Sequence, residues 1–60
     1  MTQYVRVDVS NVARGEWVTY VSEYDMFVHG TSKDNVELET YRVLEEAYGL
    51  RGFVVIWQDV

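Results

Sequence analysis

Glu16-Trp17-Val18-Thr19-Tyr20-Val21-Ser22-Glu23-Tyr24-Asp25-Met26-Phe27-Val28 is the stretch on which the fold turns, because it is long for one strand and carries small polar residues in its middle. Read with period two, Val18, Tyr20, Tyr24, Met26 and Val28 share one face, and Trp17, Thr19, Val21, Glu23, Asp25 and Phe27 the other. The expectation is one strand with a bulge or bend at Ser22-Glu23. A separate short strand from Tyr24 to Val28 is the alternative.

Upstream, Tyr4-Val5-Arg6-Val7-Asp8-Val9 alternates polar and β-branched residues, which predicts a half-buried first strand with Val5, Val7 and Val9 inward. Ser10-Asn11 and Arg14-Gly15 mark the turn after it. Downstream, His29-Gly30-Thr31-Ser32 closes the strand and opens a helix, capped through Thr31 with Asp34 or Asp34 with Glu37. From about Lys33 to Tyr48, Val36, Thr40, Val43, Leu44 and Ala47 recur at helical spacing, and Gly49-Leu50 fits a Schellman closure. Phe53-Val54-Val55-Ile56-Trp57 is apolar on both faces, which predicts a central strand beside the first, in sheet order 2-1-3 or 2-3-1. The fold class expected is α+β: a mainly antiparallel three-stranded sheet with one helix on one face, in the order strand, strand, helix, strand.

With 60 residues the chain, 1–60, is expected to form a single domain. It has no cysteine, which leaves self-association as the means of enlarging a small core and fits a reducing, cytoplasmic setting. No leader-like pattern follows Met1, and no apolar run approaches the roughly 18 residues that span a bilayer, so no membrane partner is expected. The net charge is -5, and Glu16, Glu23, Asp25, Asp34, Glu37, Glu39, Glu45 and Glu46 face only Lys33 and Arg42 within their segment. Such a field repels phosphate, so direct nucleic-acid binding is not expected, and it attracts basic protein surfaces.

Catalytic constellations are not evident. His29 is the one histidine, with Ser32 and Asp34 as neighbours able to hydrogen bond to it, and Glu45-Glu46 point about 100° apart on a helix. No spacing matches a metal site or a phosphate cradle, so no metal, cofactor or catalytic residue is assigned. Leu38, Tyr41, Glu45 and Tyr48 form a second helical stripe with Glu37 beside it, and together with Glu46 they are the expected partner-binding set. Trp17, Val21, Phe27 and one face of the last strand, either Phe53/Val55/Trp57 or Val54/Ile56, exceed what one helix can shelter; Trp17, Val21, Phe27 and Trp57 are expected at a homodimer interface, formed by pairing these faces or by pairing an edge strand.

In layout the chain resembles the uracil-DNA glycosylase inhibitors of small Bacillus phages. The matching pieces are Tyr24-Asp25-Met26-Phe27-Val28-His29-Gly30, then Ser32, Glu37 and Tyr41. That resemblance implies a three-stranded sheet with a helix between its second and third strands, a dimer formed through the sheets, and acidic side chains that mimic DNA around an aromatic anchor. The chain departs from the pattern in having Val36 where an aromatic anchor is favoured, and in a longer helix richer in glutamate. It also resembles a small phage inhibitor of bacterial RNA polymerase through an acidic helix followed by Gly52-Phe53-Val54, and anti-CRISPR proteins in being short and acidic. What these share is a phage-type inhibitor acting on a host nucleic-acid-processing or defence enzyme. A non-inhibitory assembly module docking through its apolar sheet face is the second expectation.

Overall fold

The computed structural model describes residues 2–60. Strand β1 runs Gln3–Ala13 and β2 Glu16–Val21. A single 3-10 turn, Ser22–Tyr24, separates β2 from β3 (Met26–Gly30), after which come helix α1 (Lys33–Glu46) and β4 (Phe53–Asp59). The four strands lie in the order β3-β2-β1-β4, antiparallel except for β1 against β4, which are parallel. The α+β class with one helix therefore stands, but the three-stranded, mainly antiparallel sheet is corrected to a mixed sheet of four.

One local event accounts for the correction. Asp25 takes the left-handed conformation at φ 49° and its N–H donates to the Ser22 carbonyl at 3.3 Å, so the chain reverses at the expected bulge or bend, and the alternative reading, a separate short strand in the second half, is the one that holds, as Met26–Gly30. The long second strand thereby becomes an antiparallel hairpin, with Val21 opposite Met26 and Trp17 opposite Gly30. This extra reversal flips the direction of everything downstream. The last strand returns parallel to β1, not antiparallel, and β3 takes one edge of the sheet and β4 the other. The central placement of Phe53 to Trp57 is likewise corrected: β4 does lie beside β1, but at the edge.

The first hairpin is tighter than its sequence suggested. β1 continues through Ser10 and Asn11, and only Arg14-Gly15 turn, with Gly15 at φ 71°. The Asn11 side-chain amide donates to the Ala13 and Glu16 carbonyls at 2.8 and 3.0 Å, bracing the register shift at the hairpin end.

Ser32 caps α1, correcting the Thr31 and Asp34 assignments: its hydroxyl accepts from the Asn35 N–H at 3.0 Å, while Asn35 Oδ1 accepts from the Thr31 N–H at 3.0 Å. At the other end the Leu50 N–H donates to the Leu44 carbonyl at 3.2 Å with Gly49 at φ 64°, so Leu50 folds back on Leu44 through a bond one residue longer than the six-to-one bond of a Schellman closure. The helix packs on one face of the sheet, burying Val36, Thr40 and Leu44 over Val5, Val7, Val9, Thr19 and Val21. Gly30 permits this approach, since a Cβ there would lie 2.7 Å from Val36 Cα. Among the described residues, none forms a layer over the opposite face of the sheet.

Candidate protein-docking surfaces

Two surfaces emerge, one on the helix and one on the open face of the sheet. At about 100° per residue, Asp34, Glu37, Leu38, Tyr41, Glu45 and Tyr48 fall along one flank of α1 and its C-terminal extension. Leu38 is 61% exposed and Tyr41 38%. Glu46, also expected here, lies about 100° further round than Glu45 and ion-pairs with Arg42 at 3.5 Å. Arg42 also holds Glu39 at 3.2 Å, so that side of the helix is largely neutralised. Among the described residues, Asp34, Glu37 and Glu45 make no ion pair; the helix-start cation, Lys33, is turned to Asp59 at 3.1 Å.

The two tyrosines of the flank are anchored in the molecule itself. Tyr41 stacks on Phe53 with ring centroids 4.7 Å apart, and Tyr48 packs on Tyr24 at 4.5 Å. Their rings therefore extend the core over the sheet as well as presenting an exposed edge. Each is held in a fixed orientation, which lowers the entropy lost if a partner covers it.

The expected dimer set is dispersed by the hairpin. Antiparallel pairing of β2 with β3 sets odd-numbered residues of one against even-numbered residues of the other, so the turn exchanges the faces of the second half. Val21 is fully buried beneath α1, and Trp17 and Trp57 are half-buried on the same side. Phe27 alone of the four stands on the open face, 64% exposed. There it packs on Tyr20 at 4.6 Å between centroids. Tyr4, Val54 and Ile56 share this face and are exposed; Val54 with Ile56 was one of the two faces the sequence left open, and Tyr4 was not singled out. The alternation of Val54 and Ile56 with Phe53, Val55 and Trp57 was the available signal, but it left open which set faced the helix.

Charge also sits on the open face. Arg6 and Asp8 pair at 3.5 Å, too long for a hydrogen bond, and Asp8 Oδ1 is buried without a hydrogen-bond partner. Tyr20 donates to Asp25 Oδ1 at 3.2 Å. Desolvation, that hydrogen bond and the Asp25 and Asp8 charges together raise the Tyr20 hydroxyl above the ordinary tyrosine range.

His29 lines a shallow cleft of about 320 Å³ with Val12, Glu16, Trp17, Val18 and Gly30 at the hairpin end of the sheet. The Ser32 hydroxyl is taken by the helix cap, not by His29. Among the described residues no group of three or more histidine and acidic side chains is placed to hold a metal ion. Nor is any helix long and apolar enough to cross a membrane. No family model, curated protein or solved structure matches the chain.

Proposed function

We propose that this chain is a phage-type inhibitor that acts in the host cytoplasm, laying the acidic flank of α1 on the basic surface of a nucleic-acid-processing or defence enzyme. Uracil-DNA glycosylases and CRISPR effectors are the target types that the sequence resemblances bring forward. The observation that carries this reading is the flank itself: among the described residues, Asp34, Glu37 and Glu45 have no cationic partner, and they are interleaved with Leu38, Tyr41 and Tyr48. Asp34 to Glu45 covers roughly 16 Å along the helix axis, close to the axial span of about five phosphates on one DNA strand. Carboxylates on that span meet a phosphate-binding groove with favourable charge, and the half-covered tyrosines supply apolar contact.

The test is retention of a protein from a bacterial lysate on the immobilised chain, compared with the Glu37→Lys/Glu45→Lys variant. The expected partner binds nucleic acid, is displaced by duplex DNA, and is released as salt shortens the screening length from about 8 Å at physiological ionic strength. Retention unaffected by salt, DNA and charge reversal would sink the mimicry reading. That result would favour the second reading, assembly through the open sheet face, which the exposure of Tyr4, Phe27, Val54 and Ile56 supports. In that case Phe27→Ser with Ile56→Ser abolishes retention while the charge reversal costs at most about 1 kcal/mol per exposed pair.

A further inference from the structure

The cleft at the hairpin end of the sheet belongs to neither docking surface. Val12, Glu16, Trp17, Val18, His29 and Gly30 enclose about 320 Å³ there. That lies at the small end of ligand sites, a volume suited to a single side chain.

Its shape follows from the local chain. The register between β1 and β2 shifts between Asn11 and Ala13, so Val12 is the extra residue of a bulge, and it stands 60% exposed as one wall of the cleft. The Asn11 amide, bonded to the Ala13 and Glu16 carbonyls, holds that bulge in place. Across the second hairpin Val18 is opposite His29, which makes Glu16 the diagonal neighbour of His29 on the same face. Diagonal neighbours of this kind stand about 7–8 Å apart, so a carboxylate and an imidazole flank a gap about as wide as a flat cation.

The charge in the cleft is not met from within the chain. Among the described residues neither Glu16 nor His29 makes an ion pair, and neither does Arg14 in the adjoining turn. A carboxylate without a cation excludes an anionic ligand, and the two valines beside it suit a methylene stem.

We propose that this cleft seats the guanidinium of an arginine side chain presented by a partner protein. Glu16 accepts two parallel N–H bonds from it, the His29 ring lies against its flat face, and Val12 and Val18 cover its stem. The net charge of -5 draws such a cation toward the chain. Val18 and His29 stand on the open face of the sheet, opposite α1, so the inference holds whether or not the acidic flank meets a basic partner.

Amide chemical shifts of the full chain, followed through a titration with N-acetyl-arginine methylamide, test it. The expected result is saturable shifts confined to Val12, Glu16, Trp17, Val18, His29 and Gly30. The citrulline counterpart, which keeps the shape and loses the charge, binds about tenfold more weakly, and the lysine counterpart falls between, since a point charge cannot form the paired bonds. Glu16 is exposed, so Glu16→Gln keeps the fold; it weakens arginine binding about tenfold, and His29→Ala weakens it by a smaller factor. Glu23→Gln, the same charge change beyond the other end of β2, leaves binding unaltered. Shifts that do not saturate, that spread over α1, or that respond equally to citrulline overturn the proposal. Free arginine binding much more tightly than the capped form would also overturn it, by making the ligand a free amino acid and not a side chain.

Discussion

Among the described residues, Thr19 and Thr40 are the two polar side chains buried in an otherwise apolar core, and their hydroxyl oxygens lie 2.6 Å apart. Thr40 Oγ1 is also 2.6 Å from the Val36 carbonyl, to which it donates. A hydroxyl has one proton, so the proton between the two threonines belongs to Thr19. The two substitutions are therefore unequal. Thr40→Val strands the Thr19 hydroxyl without an acceptor and costs about 1–3 kcal/mol, whereas Thr19→Val leaves Thr40 still bonded to Val36 and costs about 1 kcal/mol or less. The double variant should be no less stable than Thr40→Val alone. Urea unfolding of the three variants checks this, and a Thr19→Val protein less stable than Thr40→Val would reverse the assignment.

At the scale of elements, what sequence made legible was whatever periodicity encodes. Val5, Val7 and Val9 alternate with polar neighbours and all turn inward; Val36, Thr40 and Leu44 keep helical spacing and form the buried stripe. The Gly49-Leu50 closure was readable because glycine announces the left-handed backbone it adopts. The reversal at Ser22–Asp25 carries no such sign, since no glycine, proline or asparagine marks it and Asp25 takes the positive φ instead. Both errors downstream, the direction of β4 and the face of Phe27, follow from that one residue. The helix flank proposed for docking could be laid out from helical spacing, apart from Glu46, whose pairing with Arg42 depends on its position round the helix. If Asp25 is the pivot, its backbone requirement should dominate its substitutions. Asp25→Asn keeps both the left-handed preference and an acceptor for Tyr20, and should stay within about 0.5 kcal/mol of the parent. Asp25→Val places a branched Cβ at positive φ and removes the acceptor, and should cost about 2–3 kcal/mol. Thermal unfolding of the two variants measures the difference, and near-equal stabilities would show that the turn is dictated elsewhere.

For the whole molecule the net charge of -5 acts in two opposite ways. Within the fold, Asp34, Glu37 and Glu45 share a flank of one helix with no ion pair among the described residues to offset them, so their mutual repulsion weakens the compact state. Toward a basic partner the same repulsion is relieved, and the same field speeds encounter. Salt screens both effects, so it must raise the stability of the free chain while lowering its affinity for a cationic surface. Glu37→Lys/Glu45→Lys should reproduce both consequences in low salt: a higher unfolding midpoint, by a few tenths of a kcal/mol per site, and weaker binding. Adding salt should then shrink the stability gap between parent and variant, because the repulsion that the substitutions remove is already screened. Thermal unfolding of the free proteins at two ionic strengths, read beside retention of the partner under the same conditions, tests the pair of signs together. A variant that is less stable than its parent in low salt would mean that these glutamates are held by favourable contacts within the fold, and the flank would no longer be a store of uncompensated charge.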